Sequence, residues 1–372
     1  MNSVLINGES AASKTVFSLI ERFERDDRTA IICGSETISY REFISGYRNF
    51  GLELVRSGLR KGDRVLVCQK RGVSWLTSIF GIMAAGGIYI PVDREWPSER
   101  REFIMKDSGA ALMVTDDGIF GADGTPVSSP VFLTGSGTDG IGKLPYVTGD
   151  DYCWIYYTSG STGIPKGAAN VHEVMYNNAL VCPENIYTAC TVSSCTNVLA
   201  MLNLAYSFSL ADVLISLCNG LKLILATEEE RQDPAALAAC MQKWQVEALA
   251  ATPSLLERFL ENEQFSSTFR KLKRVGLSGE GLSRSQMELI AGKTDGKLFN
   301  GYGSSEMLHC SDALCTAGDD LTAGVPNLKV RLIVLMDDME AAGPGEEGEL
   351  LIGGVPAKHA LYFGREDLNN EK

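Results

Sequence analysis

Tyr156-Tyr157-Thr158-Ser159-Gly160-Ser161-Thr162-Gly163-Ile164-Pro165-Lys166-Gly167 turns an apolar run into small residues and then a lysine. The run from Tyr152 to Tyr157 has the length and the β-formers of a buried strand. The six residues that follow include four hydroxyls and two glycines. Glycines at 160 and 163 let the backbone bend close to a ligand, and their amides with the Ser and Thr hydroxyls make a ring of donors. Lys166 closes that ring with a positive charge, so the guest it suits is a polyphosphate. A P-loop needs its lysine after Gly and before Ser or Thr at the start of a helix. Here Lys166 stands between Pro165 and Gly167, which stiffens the loop and prevents a helix from starting there. A flexible Gly/Ser linker has similar composition, but a linker rarely follows a buried strand directly and ends in Pro-Lys-Gly.

Outward from this stretch, strands and helices alternate. Residues 14–25 carry a helical apolar stripe, and Thr29 to Cys33 reads as a strand. A helix opens near Tyr40, with Ser39 as N-cap and Glu42 completing a capping box. Strands follow at 64–68, 88–92 and 111–115, with a helix at 73–85 between the first two. Residues 117–150 are rich in Gly, Ser, Thr, Asp and Pro and read as loops. His172 falls on a helix expected to start near 170, in a surface or capping role. The pattern resumes with strands at 222–226, 246–250 and 273–278 and helices at 234–244 and 254–261. Such alternation implies parallel pairing and an α/β architecture.

A second segment, Asn300-Gly301-Tyr302-Gly303-Ser304-Ser305-Glu306, combines an amide, a ring able to stack on a base, hydroxyls and a carboxylate. Leu277-Ser278-Gly279-Glu280-Gly281 ends a strand in a glycine turn, where α/β folds hold ligands. Beyond Pro326, the runs 329–335 and 349–352 have strand character around a Pro-Gly turn.

Together these motifs closely resemble the adenylate-forming enzymes: acyl-CoA synthetases, luciferases and the adenylation domains of nonribosomal peptide synthetases. Tyr156 to Gly167 resembles the family's phosphate-binding signature, and Gly87-Ile88-Tyr89-Ile90-Pro91-Val92-Asp93 its Gly-x-Tyr-x-Pro-x-Asp stretch, which favours the peptide-synthetase side. The resemblance implies an α/β fold with two layered subdomains, approximately 15–150 and 151–320, and a small β-rich part, 321–372. It implies ATP held by Thr158, Ser159, Gly160, Ser161, Thr162, Gly163, Lys166, Gly279, Glu280, Asn300, Tyr302 and Ser305. Asn300 would face the adenine edge, Tyr302 would stack on it, and Ser305 would touch the α-phosphate. Glu306 would hold Mg²⁺, and Thr158, Lys166, Ser305 and Glu306 would serve the chemistry.

Laid on the family's acid-specificity segment, the chain puts Ser207, Phe208, Ala211, Ala250, Gly276, Ser278, Gly301, His309 and Cys310 around the acid. Amino-acid-activating domains usually carry Asp where Ser207 stands, pairing with the α-ammonium. An unpaired buried ammonium costs several kcal/mol, of order 3–5. Either the substrate lacks an α-ammonium, or another group such as Asp212 takes the anchor's place. The family's next segments and C-terminal lid are not in the sequence, so the chain is expected to be the N-terminal core of a larger synthetase that forms the adenylate poorly alone. The partners so implied are a small carboxylic or amino acid, a carrier-protein domain and, in some synthetases, a small activator protein. The alternatives are an acyl- or aryl-CoA ligase core and a non-catalytic acid- or partner-binding fragment.

Composition sets the bounds. A length of 372 residues exceeds one small core. A net charge of −13 argues against nucleic acid, which asks for a basic face. Ten scattered cysteines without a Cys-x-x-Cys pair and three histidines argue for a reducing, cytoplasmic setting and against zinc. Residues 196–226 are apolar but interrupted by Asn203, Asp212 and Asn219, the mark of a buried helix and strand and not of a membrane span.

Overall fold

The computed structural model describes residues 14–128, 143–159, 164–316 and 318–370. Nine strands build one sheet in the order Val325–Pro326, Leu308–Cys315, Lys297–Ser304, Arg274–Leu277, Ala248–Ala251, Asn197–Ala200, Lys222–Leu225, Thr29–Cys33, Glu36–Ser39. The pairings from Lys297–Ser304 across to Thr29–Cys33 are parallel, and the outer ones antiparallel. Eight strands build the second sheet: Leu361–Tyr362, Pro165–Val171, Tyr152–Ser159, Ile88–Pro91, Arg64–Cys68, Leu112–Thr115, Ile119–Gly121, Pro126–Ser128. Val330–Leu335 and Glu349–Gly354 pair as a small antiparallel sheet, the β-rich part expected from sequence. The α/β class is as expected. The sheets, however, cross the divide drawn near residue 150, because Thr29–Ser39 joins the larger sheet and Tyr152–Val171 the smaller.

Between the sheets lies a helical layer. Tyr40–Arg56 starts on the expected capping box of Ser39 and Glu42 and buries Tyr40, Phe43, Ile44, Tyr47, Phe50 and Leu54 along one face. It crosses Val73–Ala84 closely, with Phe43 and Phe80 edge to face at 5.2 Å. Glycine is required at the crossing, since a Cβ on Gly81 would lie 2.7 Å from the Phe50 ring. The main core draws Val65, Tyr89 and Trp154 from one sheet and Ile31, Leu223 and Leu225 from the other. Each such side chain contributes about 1.5–3 kcal/mol on burial.

Polar contacts fix how the sheets face each other. The Arg71 guanidinium donates to the carbonyls of Ala226 (2.5 Å), Leu202 (2.7 Å) and Ala200 (2.7 Å), which lie at and just beyond the C-terminal ends of two strands of the larger sheet. Asn203 donates to Asp93 at 2.5 Å. These bonds hold the strand ends where α/β folds bind ligands in register with the smaller sheet.

Two local expectations are corrected. Pro165–Val171 forms a strand where sequence suggested a loop running into a helix, and the helix starts at His172. Small residues make this strand fit, because a Cβ on Gly167 would meet Ile155 at 2.8 Å. His172 is neither on the surface nor a cap: it is fully buried, 5.7 Å from the Phe17 ring, with neither nitrogen hydrogen-bonded among the described residues. Burial drives its pKa down to about 4. As pH falls below the ordinary histidine value, the unfolded chain binds a proton that the folded chain refuses, so stability falls with pH. At pH 5 the loss through this one group is about 2 kcal/mol. Urea titrations at pH 7 and pH 5 should show His172→Leu losing correspondingly less over that interval than the parent; an equal loss would contradict the assignment.

Candidate active site

The Tyr152–Ser159 and Pro165–Val171 strands form an antiparallel hairpin in which Thr158 faces Lys166 and Ser159 faces Pro165. Its buried side is apolar, with Tyr156 and Trp154 edge to face at 5.6 Å. Gly160, Ser161, Thr162 and Gly163, and the side chain of Ser159, lie outside what the structure describes. The hairpin nonetheless fixes both ends of that segment and sets Thr158 and Lys166 side by side.

Lys166 is half-buried, with its ammonium 5.4 Å from the centre of the Tyr362 ring. Tyr362 lies on the short edge strand beside Pro165–Val171, and its hydroxyl donates to Glu306 Oε1 at 2.7 Å. Asn170 donates to the Glu306 carbonyl at 2.8 Å. The hairpin lysine on one sheet and the carboxylate beyond the Lys297–Ser304 strand of the other are thereby gathered around one tyrosine. Sequence gave no sign of Tyr362.

The Asn300–Glu306 segment runs along Lys297–Ser304 into a tight turn. Asn300 donates to the Thr322 carbonyl at 3.0 Å, and Tyr302 leaves 41% of its surface exposed for a stacking partner. The ladder shifts register between Tyr302 and Gly303, and Leu308 returns in the left-handed region at φ 61°. Gly303 permits this approach, as a Cβ there would sit 1.9 Å from the Leu308 carbonyl oxygen.

Beside this turn opens a cleft of about 470 Å³. Of the residues expected around an acid, Ser207, Phe208, Ala211 and His309 line this cleft. Ser278, Gly279, Glu280 and Ser305 line the side toward the turn. Gly279 takes φ +87°, which only glycine adopts freely. Glu280 accepts from the Ser254 hydroxyl at 2.5 Å and its amide at 3.3 Å, at the start of the helix Pro253–Leu260. The Ser207 and Ser305 hydroxyls meet at 3.1 Å, joining the Ser207–Ser209 turn to the Asn300–Glu306 segment. Sequence missed Leu202, Asn203, Arg231, Thr252 and Leu308 on the walls.

Four expected acid-pocket residues are not on the cleft wall. Ala250 packs with Tyr187, Ile215 and Phe299 in a small buried cluster. Gly276 backs onto the Tyr187 ring, 2.5 Å from where a Cβ would stand. Gly301 lies against the His309 ring. Cys310 is fully buried, and burial pushes its thiol up to about 12, so it stays protonated.

The structure also settles what Asp212 does. Its Oδ1 accepts from Arg274 at 2.9 Å and from the Tyr187 hydroxyl at 3.0 Å, and Arg274 is completely buried. The guanidinium donates further to the Leu249 carbonyl at 3.0 Å and to Tyr187. The Asp212 carboxylate is thus committed to a buried ion pair and is not an anchor for an ammonium. An arginine within the buried strand Arg274–Leu277 was the sequence signal for such a partner.

Among the described residues no three His, Cys, Asp or Glu side chains cluster as a metal cage, and no helix is long and apolar enough to cross a membrane.

The AMP-binding enzyme family matches residues 21–357. The nonribosomal peptide synthetase NPS2 of Ceriporiopsis subvermispora is 29% identical over 90% of this chain, and gramicidin S synthase 2 of Brevibacillus brevis is 26% identical over 98%. The chain spans only 14% and 8% of those relatives' lengths. Among solved structures, a four-domain nonribosomal peptide synthetase, holo-AB3403 bound to AMP and glycine, matches with TM-score 0.78 and 28% identity, over 97% of this chain and 27% of that one. The Klebsiella oxytoca NpsA N-terminal subdomain shares the fold, with TM-score 0.84 at 24% identity over 97% of this chain and 91% of that one. By the match over nearly its whole length, the chain belongs to the AMP-binding enzyme family.

Proposed function

We propose that this chain is the core of an adenylation domain of a nonribosomal peptide synthetase. It would activate a carboxylic acid with ATP for transfer to the thiol of a carrier-protein domain. The observation that carries the reading is the 3.1 Å contact of Ser207 with Ser305, which supports it by joining the residue expected beside the acid to the segment expected beside the nucleotide. In the reaction, a carboxylate oxygen of the acid bonds to the α-phosphorus of ATP. The bond from that phosphorus to the bridging oxygen breaks, and pyrophosphate leaves with the electron pair. Tyr302 stacks on the adenine, Ser305 and Thr158 donate to phosphate oxygens, and Lys166 adds positive charge where negative charge gathers. Holding the reactants in line converts the encounter into a step within one complex.

Glu306 is the residue to hold Mg²⁺. One carboxylate suits an ion that takes most of its remaining oxygens from phosphates and water. When bound, the ion offsets phosphate charge.

The acid itself would lack an α-ammonium. Ser207 is neutral, and Asp212 is consumed by Arg274 and Tyr187. Replacing Ser207 with Asp supplies the missing anchor. Ser207→Asp is expected to raise the affinity for an α-aminoacyl adenosine sulfamate by about tenfold or more, the value of one charge-assisted hydrogen bond. Titration of glycyl adenosine sulfamate into parent and variant measures this, and no gain in a folded variant would remove the anchor argument.

A further inference from the structure

The floor of the acid pocket carries two buried charge pairs, and only one of them reaches the cleft. Arg274 and Asp212 neutralise each other behind the Tyr187 ring, with the guanidinium 4.0 Å from the ring centre. Tyr187 in turn fills the space beside Gly276 and stands edge to face with His309 at 5.8 Å. His309 lines the cleft, 6.4 Å from the Phe208 ring, whereas Tyr187, Gly276 and Ala250 are not on its wall. Its Nε2 lies 2.9 Å from Asp312 Oδ1.

Asp312 is 2% exposed, and among the described residues its one ion pair is with His309. A buried carboxylate without a cation is costly, so Asp312 at 2.9 Å favours the charged form of the imidazole. Burial works against that charge, but the Asp312 carboxylate outweighs it and raises the His309 pKa. Nε2 and Asp312 Oδ1 are at ion-pair distance without hydrogen-bond geometry, and with Nε2 on that side Nδ1 is the nitrogen that would meet a bound acid. A charged imidazole presents an N–H there, a donor with no acceptor function.

Resting on the adenylation reading, we propose that His309, braced by Asp312 and backed by Tyr187, is the specificity-determining floor that selects a short acid bearing a neutral oxygen acceptor, a hydroxy or keto acid. An ammonium would face a like charge, and a methyl group would leave the buried donor unpaired. A long acyl chain would run against the His309 ring, with Tyr187 packed behind it.

The test is titration of the 372-residue chain with adenosine sulfamates carrying three- to five-carbon acyl groups in hydroxyl, methyl and ammonium versions at each position, plus an octanoyl compound and AMP. At one position the hydroxyl compound should bind at least about tenfold tighter than its methyl counterpart, the ammonium and octanoyl compounds weaker still. His309→Leu should erase the hydroxyl preference while leaving AMP binding unchanged. The double variant His309→Leu/Asp312→Asn, which strands no charge, serves if the single one melts early. Equal binding of hydroxyl and methyl compounds by the parent, or a preference that survives both variants, overturns the proposal. If neither AMP nor any mimic binds the folded chain, the adenylation reading falls and the proposal with it; if AMP binds without hydroxyl preference, only the proposal falls.

Discussion

Asp212→Ala is expected to destabilise the chain by about 3–5 kcal/mol, because it leaves the Arg274 guanidinium buried without its counter-charge. Arg274 is fully enclosed, and its other hydrogen-bond partners among the described residues are the Leu249 carbonyl and the Tyr187 hydroxyl, neither of which carries a negative charge. Native domains keep only about 5–15 kcal/mol of net stability, so the change consumes a large share of it. The effect belongs to the orphaned charge and not to the pair as such. Arg274→Met/Asp212→Leu, which removes both, should cost far less than Asp212→Ala alone. Urea unfolding of the three variants provides the comparison. A loss below about 1 kcal/mol for the single variant, within the range of an exposed ion pair, would contradict the structure at this point.

Gly303→Ala should weaken nucleotide binding at least about tenfold, the scale of one lost hydrogen bond to a charged phosphate. The added methyl would stand 1.9 Å from the Leu308 carbonyl oxygen, so the two strands cannot keep their register. Leu308 is already at φ 61°, which leaves the return strand little room to adjust. The turn between them carries Ser305 and Glu306, and both would move. Most of the nine-stranded sheet lies away from this bulge, so the melting temperature should fall less than the affinity. Titration with AMP beside a thermal melt separates the two. Unchanged affinity in a folded variant would mean that the turn does not form the nucleotide site.

Much of this arrangement was legible in the sequence. Short apolar runs and their glycine turns marked most of the parallel strands, because buried strands need little beyond β-formers and punctuation. The capping box of Ser39 and Glu42 marked a helix start to the residue. Of the nine residues that the family resemblance implied around an acid, Ser207, Phe208, Ala211, Ser278 and His309 line one cleft. What stayed hidden was long-range. Pro165–Val171 lacks β-branched residues before Val171 and becomes a strand only through packing against Ile155 and Tyr157. Tyr187 excludes Gly276 and Ala250 from the pocket from a helix nearly ninety residues earlier in the chain than Gly276, and no local pattern reports that. Tyr362 meets Glu306 across 56 positions of sequence. The charge on Arg274 in a buried strand was visible, but its partner Asp212 could be chosen only once the sheet and helix were placed.

The central claim, a nucleotide site beside the Asn300–Glu306 turn, is tested most directly by isothermal titration of the chain with AMP. A single site per chain is expected, weakened about tenfold by Tyr302→Ala, which removes the stacking ring. A folded chain that takes up no AMP, or one whose affinity ignores Tyr302→Ala, would contradict it.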